Sequence, residues 1–305
     1  MGAGASCYLN LFCALHPNGL PPSFRLLEMG NTQTYGTVDE FAALFAYLCV
    51  PQSKSQAMAA DYGSRLMPTG VGVYNLEMFP AAGVAYDCVD YSDPTTIKSD
   101  LNTDHLPARL RGRFDLVTNF GTSEHVANQM NFFHYVHDAS KISGLMVHFV
   151  PCIGYLGHCL YKYDPKFFVR LAAANDYEIL QGGFGPEEIG VTLDAECDLW
   201  LGYNALRGRR FDSHLVEFIL RKRLSRSYRP PIDYGLDPTM RMPQTASIRS
   251  FPPQLALPPF VPITMRQRLQ SQIQSTVAWP PVARLMRWVP APLRRVAKEI
   301  IFNAL

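Results

Sequence analysis

Two short apolar runs constrain this chain more than any other feature. They are Phe114-Asp115-Leu116-Val117-Thr118-Asn119 and Leu145-Met146-Val147-His148-Phe149-Val150, joined by a stretch of helical period over 126–142. Each run has the length and β-branched content of a buried strand. Gly144 ends the intervening helix, and Pro151 stops the second run. A strand, a helical crossover and a second strand form a unit that closes with parallel pairing.

The alternation repeats on both sides. Arg25-Leu26-Leu27-Glu28-Met29-Gly30 reads as a buried strand ending in glycine, and Val38, Phe41, Ala42, Leu44, Phe45 and Leu48 then follow helical spacing up to Pro51. Residues 84–91 give a further strand, closing on Asp90. Residues 164–175 give a helix, with Asp164 as N-cap and Pro165 at its first position. Residues 177–181 and 214–220 complete the strands. Between 52 and 83 the pattern predicts a short helix at 56–66 and a Gly/Pro-rich loop at 67–72. Strands alternating with helices predict an α/β fold, a Rossmann-like doubly wound and mostly parallel sheet covered on both faces.

Composition divides the chain. Residues 225–305 hold 11 Lys/Arg against 3 Asp/Glu, a net +8, and 13 of the 24 prolines, whereas residues 1–224 carry −6. The expected organisation is an N-terminal segment at 1–23, an α/β domain at 24–224 with an insertion at about 52–80, and a basic, Pro-rich tail at 225–305. Helical character returns over 263–305. Basic amphipathic helices of this kind pack on their own domain, dock on a partner, or lie on an anionic membrane. The seven cysteines are scattered without a C-x-x-C pair, which favours free thiols in a reducing, cytoplasmic setting. No apolar run reaches the ~18 residues that a membrane span needs. The opening Met1-Gly2-Ala3-Gly4-Ala5-Ser6 fits a myristoylation pattern, with Cys7 beside it as a palmitoylation candidate; the plainer reading is a disordered start rich in small residues.

The stretch Phe114 to Val126, which includes Thr122-Ser123-Glu124-His125, resembles the fourth-strand motif of class I S-adenosylmethionine-dependent methyltransferases. Gly144 to Pro151 resembles their fifth strand. The shared order is strand, Glu-His loop, helix, glycine, strand, proline, and it is similar to the subgroup acting on small molecules. The resemblance covers about 24–222 and is densest over 114–151. It implies S-adenosyl-L-methionine as cofactor, held where strand ends converge on the side at which strand order reverses. It implies cofactor contacts at Glu28, Gly30, Asn31 and Thr32, at Asp90 and Tyr91, at Asp100 and Leu101, and at Asn119 and Phe120. A carboxylate such as Asp90, ending its strand, suits the two ribose hydroxyls. The family's E-x-G-x-G-x-G is met only by Glu28 and Gly30, and Gly36 falls two residues late. Gly30 and Asp90 stand 60 positions apart, where a dinucleotide-binding unit has roughly 20. The insertion accounts for the difference.

Methyl transfer to a hydroxyl needs the acceptor aligned and its proton removed. His125 is the first candidate base, with Glu124 as its orienter or alternative, and His158 lies in a loop beyond the next strand. A plainer reading of His125 is a helix cap. His134 and His137, three apart on a helix, have no Cys or carboxylate spaced to complete a metal set, so packed or surface roles are expected and no metal. The tail lacks Lys/Arg runs and RNA-binding motifs, so no nucleic-acid partner is expected. The sequence thus points to methyl transfer to a small-molecule or saccharide acceptor, at oxygen. The alternative is a non-catalytic relative that scaffolds, with protein or peripheral-membrane contacts through 263–305.

Overall fold

The computed structural model describes residues 2–69, 72–92, 94–155, 157–185 and 213–232. The tail helices expected over 263–305 lie outside them. In chain order the elements are β1 (Gly2–Gly4), α1 (Ala5–Leu15), β2 (Arg25–Met29), β3 (Gln33–Tyr35), α2 (Val38–Tyr47), α3 (Gln52–Thr69), β4 (Val73–Tyr74), α4 (Asn75–Ala81), β5 (Ala85–Asp90) and β6 (Ile97–Lys98). They continue with β7 (Phe114–Phe120), α5 (Gln129–Ala139), β8 (Ser140–Gly154), α6 (Pro165–Asn175), β9 (Tyr177–Gly185) and β10 (Ser213–Lys222).

Seven strands form one sheet in the order β6-β5-β2-β7-β8-β10-β9. β6, β5, β2, β7 and β8 pair in parallel, and β10 runs antiparallel to both its neighbours. From β2 the chain winds outward through β5 to β6, then crosses to β7 on the other side of β2 and winds outward again. This is the doubly wound arrangement of the class I methyltransferase fold, and the reversal point falls between β2 and β7.

The strands are apolar on both faces because both faces are covered. Leu26, Leu116 and Val147 pack with α1, α2 and α4, while Leu27, Val117 and Met146 pack with α5 and α6. Each such side chain contributes about 1.5–3 kcal/mol relative to exposure. The helices start where the sequence puts caps. Thr37 and Glu40 form a capping box on α2, and the Asp164 carboxylate accepts from the Lys166 amide ahead of Pro165.

Three segments differ from the sequence reading. The helix expected over 126–142 is shorter, because Ser123–His125 forms a 3-10 turn, Asn128 caps α5 by accepting from the Asn131 amide, and β8 begins at Ser140. The helix expected at 56–66 is the longer α3, and the insertion goes on to form β4 and α4. Residues 5–15 are a helix whose Tyr8 and Phe12 are fully buried. The strand ahead of it pairs with β3, with Gly2 opposite Gln33, and β3 also pairs with β4 in a separate three-stranded sheet. Burial, followed by the Glu217 carboxylate, pushes the Cys7 thiol up to about 12. Cys7, Cys13, Cys49, Cys88 and Cys159 carry free thiols, and among the described residues no helix is long and apolar enough to cross a membrane.

Candidate active site

The carboxyl end of β2 turns sharply at Gly30, whose φ is +86°. The Gly30 amide donates to the Val89 carbonyl at 2.7 Å, tying this turn to the end of β5. One residue on, the Asn31 amide donates to Asp90 Oδ2 at 2.8 Å. Asp90 Oδ1 accepts from the Ser92 amide and hydroxyl, both at 3.0 Å. A carboxylate has about four acceptor positions, so one on Oδ2 stays open. Asn31 Oδ1 is buried without a donor among the described residues, although its amide nitrogen donates to the Pro94 carbonyl at 2.8 Å.

Across the reversal point, Thr122 closes on the same turn. Its hydroxyl donates to the Met29 carbonyl at 2.6 Å, and a Cβ added at Gly30 would stand 2.3 Å from Thr122 Oγ1. The turn that carries Thr122 is anchored from below. Asn119 Oδ1 accepts from the Thr122 and Ser123 amides, and Asn119 Nδ2 donates to Ser123 Oγ at 2.9 Å. Gln129 Nε2 donates to the Ser123 and Val126 carbonyls, and Gln129 Oε1 accepts from Tyr163.

These clamps present Glu124 and His125. Glu124 is fully buried, and among the described residues neither carboxylate oxygen has a hydrogen-bond donor. Burial pushes its pKa up to about 7. The His125 side chain is 45% exposed and its Nε2 stands 4.0 Å from Glu124 Oε1. Burial, then the neighbouring His158 ring, lowers the His125 pKa. His158 comes from the loop after β8. That loop docks through the Leu160 and Tyr161 amides, which both donate to the Glu124 carbonyl at 2.9 and 3.1 Å. The His125 and His158 rings meet edge to face at 5.1 Å, and Tyr155, at φ +50°, lies beside His158 with ring centroids 5.6 Å apart. All three residues read from the sequence as the acceptor-side set therefore converge.

The residues read as cofactor contacts divide into two groups. Gly30, Asn31 and Asp90 converge at the ends of β2 and β5. Tyr91 is 72% exposed beside them. Asp100 follows β6 and accepts from the Asn102 amide and side chain. The others point into the protein. The Glu28 carboxylate accepts from Tyr8 and Tyr86 hydroxyls, each at 2.6 Å, and from Asn75 Nδ2. Thr32 Oγ1 accepts from the same Asn75 amide. Leu101 lies in the core, and Phe120 stacks on Phe149 at 4.9 Å. Asn119 is fully buried under the Ser123 turn and contacts His148 Nδ1 at 3.2 Å.

His134 and His137 have structural partners. The His137 Nε2–H donates to the Arg226 carbonyl at 2.7 Å, which leaves Nδ1 to accept from the Tyr177 hydroxyl at 2.6 Å. Burial, then Lys222, lowers the His137 pKa to about 4. His134 stacks on Tyr228 and lies 3.6 Å from Asp138.

Fold and site together define a class I methyltransferase fold with a His/Glu cluster at the carboxyl ends of β7 and β8. No protein-family model and no curated protein matches the chain. Solved structures do. The Burkholderia thailandensis 1,6-didemethyltoxoflavin N1-methyltransferase, with 1,6-didemethyltoxoflavin and S-adenosylhomocysteine, is 10% identical, over 72% of this chain and 79% of its own, at a TM-score of 0.36. The Streptomyces coelicolor geranyl diphosphate C-methyltransferase is 13% identical over 71% and 77%, also at 0.36. An S-adenosylmethionine-dependent methyltransferase from Mesorhizobium loti is 15% identical over 66% and 93%, at 0.34.

Proposed function

We propose that the chain binds S-adenosyl-L-methionine and transfers its methyl group to a small-molecule or saccharide acceptor, at oxygen. The observation that carries this reading is the convergence of two chemically distinct sets at the end of one sheet. On one side of the reversal point stand Gly30, Asn31 and Asp90; on the other, Glu124, His125 and His158.

The residues at the β2 and β5 ends fit the cofactor. Asp90 keeps an acceptor position for a ribose hydroxyl, and the buried Asn31 Oδ1 lacks the donor that an ammonium or hydroxyl group would supply. When bound, the cofactor supplies a methyl group made electrophilic by its sulfonium. The chain's own work is alignment and proton handling. His125 is neutral at pH 7, because its pKa is lowered. It can take an acceptor's hydroxyl proton at Nε2. Glu124 titrates near 7 and, ionised, stabilises the imidazolium that results. The His158 loop closes the acceptor side.

A non-catalytic scaffold is favoured by two observations. Thr122 fills the approach to Gly30, and Glu28, the acidic residue of the glycine motif, is held inside the core. The two readings differ in a measurable way. Asp90→Ala should weaken S-adenosylhomocysteine binding by about 1–3 kcal/mol, the cost of unpaired polar partners. Unchanged affinity would show that this carboxylate does not hold the ribose, and a chain without cofactor affinity would leave the scaffold reading.

A further inference from the structure

We propose that Glu124, His125 and His158 form the seat of a divalent transition cation of the zinc class. One carboxylate oxygen and one nitrogen from each imidazole lie within 4.8 Å of one another. Two imidazoles and a carboxylate are a donor set that borderline cations prefer, whereas magnesium and calcium favour oxygen alone.

Three observations support the seat. The first is the carboxylate itself. Glu124 is fully buried, and neither oxygen has a hydrogen-bond partner among the described residues. Buried carboxylates are ordinarily paired or bound to a cation, because desolvating an unpaired one is expensive. Here the nearest polar side-chain atom in the cluster is His125 Nε2, at 4.0 Å. A cation between them supplies the missing partner.

The second is geometry. Zinc holds its nitrogen and oxygen ligands at about 2.0–2.2 Å, which puts tetrahedral donors about 3.3 Å apart. The present separations, up to 4.8 Å, need to contract by at most about 1.5 Å. The side chains that would close this gap are the two exposed histidines, which can turn about their own bonds.

The third is backbone support. Asn119 and Gln129 fix the Ser123–His125 turn, and the His158 loop hangs on the Glu124 carbonyl through two amides. The two ligand-bearing segments are thus fastened to each other, as a preorganised site requires.

Three protein donors leave at least one coordination position open, and an oxygen of the acceptor suits it. That last assignment rests on the methyl-transfer reading; the cation seat does not. With the ion bound, His125 acts as a ligand rather than a proton acceptor, and the ion lowers the pKa of a coordinated hydroxyl.

The test uses the full chain, stripped with a chelator and titrated with Co2+ and Zn2+. Co2+ reports coordination through its visible absorption, and calorimetry gives the Zn2+ stoichiometry. The expected result is one ion per chain. Glu124→Gln, His125→Ala and His158→Ala should each weaken binding at least about 100-fold, beyond the 10–100-fold that outer-shell changes cost. His134→Ala, which removes a histidine outside the cluster, should change nothing. Circular dichroism and S-adenosylhomocysteine calorimetry on the same variants check folding and cofactor affinity. Absence of saturable binding overturns the seat, as does affinity indifferent to Glu124→Gln and His158→Ala. A chain that binds S-adenosylhomocysteine but neither metal ion loses the seat and keeps the methyl-transfer reading. A chain that binds the ion at these residues but no cofactor keeps the seat alone.

Discussion

Gly30→Ala probes the joint between the two halves of the site. Gly30 holds φ at +86°, and a left-handed conformation costs a residue with a Cβ about 1–2 kcal/mol. The new methyl would also stand 2.3 Å from Thr122 Oγ1. The Thr122 hydroxyl must then move and give up its 2.6 Å bond to the Met29 carbonyl, a loss of about 1 kcal/mol. The variant should therefore be about 2–3 kcal/mol less stable than the parent. Thr122→Ala alone removes the hydrogen bond, at about 1 kcal/mol. The double variant keeps the backbone strain but not the collision, so it should also fall near 2–3 kcal/mol. The cycle then shows a coupling of about 1 kcal/mol in favour of the double variant. Urea denaturation reads this as shifts in midpoint at constant slope. Strict additivity would refute the contact, and a Gly30→Ala loss below about 0.5 kcal/mol would refute the strain.

Other perturbations test the core and the titrating groups. Tyr86→Phe removes one of two tyrosine hydroxyls from the Glu28 carboxylate and should cost about 1.5–3 kcal/mol in urea midpoint analysis, the range for hydrogen bonds to charged groups. His137→Ala strands the Tyr177 hydroxyl and the Arg226 carbonyl; it should lower thermal stability, by about 2–4 kcal/mol, and leave S-adenosylhomocysteine affinity unchanged. Glu124 holds its proton up to about pH 7 against an ordinary 4.5. The folded state therefore binds this proton more tightly than the unfolded state, and stability falls as pH rises across that window. At 1.36 kcal/mol per pH unit, the loss is up to about 3 kcal/mol. Glu217, which burial also raises to about 7, adds a parallel dependence. The Glu124 part is read as wild type minus Glu124→Gln, in chelator, by denaturation at pH 5 and 8.

The sheet was legible because its strands carry their own signals. The runs at 25–29, 114–119 and 145–150 are apolar on both faces, and Pro51, Gly144 and Pro151 punctuate them. The convergence of Glu124, His125 and His158 was legible for a related reason, since Glu124 and His125 follow one strand and His158 the next. The Glu28 network was not. Its partners Tyr8, Asn75 and Tyr86 lie 20, 47 and 58 positions away, and no local pattern encodes such pairings. Helix α1 has no side-chain cap at its start, so nothing in the sequence marked where it begins. β3 is three residues long, too short for a period, which left the Asn31–Thr32 stretch to be read as a glycine-motif turn. Thr122 gave no signal either, because its role depends on a turn across the sheet.

The proposed function puts S-adenosylmethionine at the ends of β2 and β5. Titration calorimetry of the full chain with S-adenosylmethionine and S-adenosylhomocysteine tests it most directly. Saturable binding of both is expected, at one site per chain and weakened by Asp90→Ala. No heat of binding for either ligand, up to millimolar concentration, would contradict it.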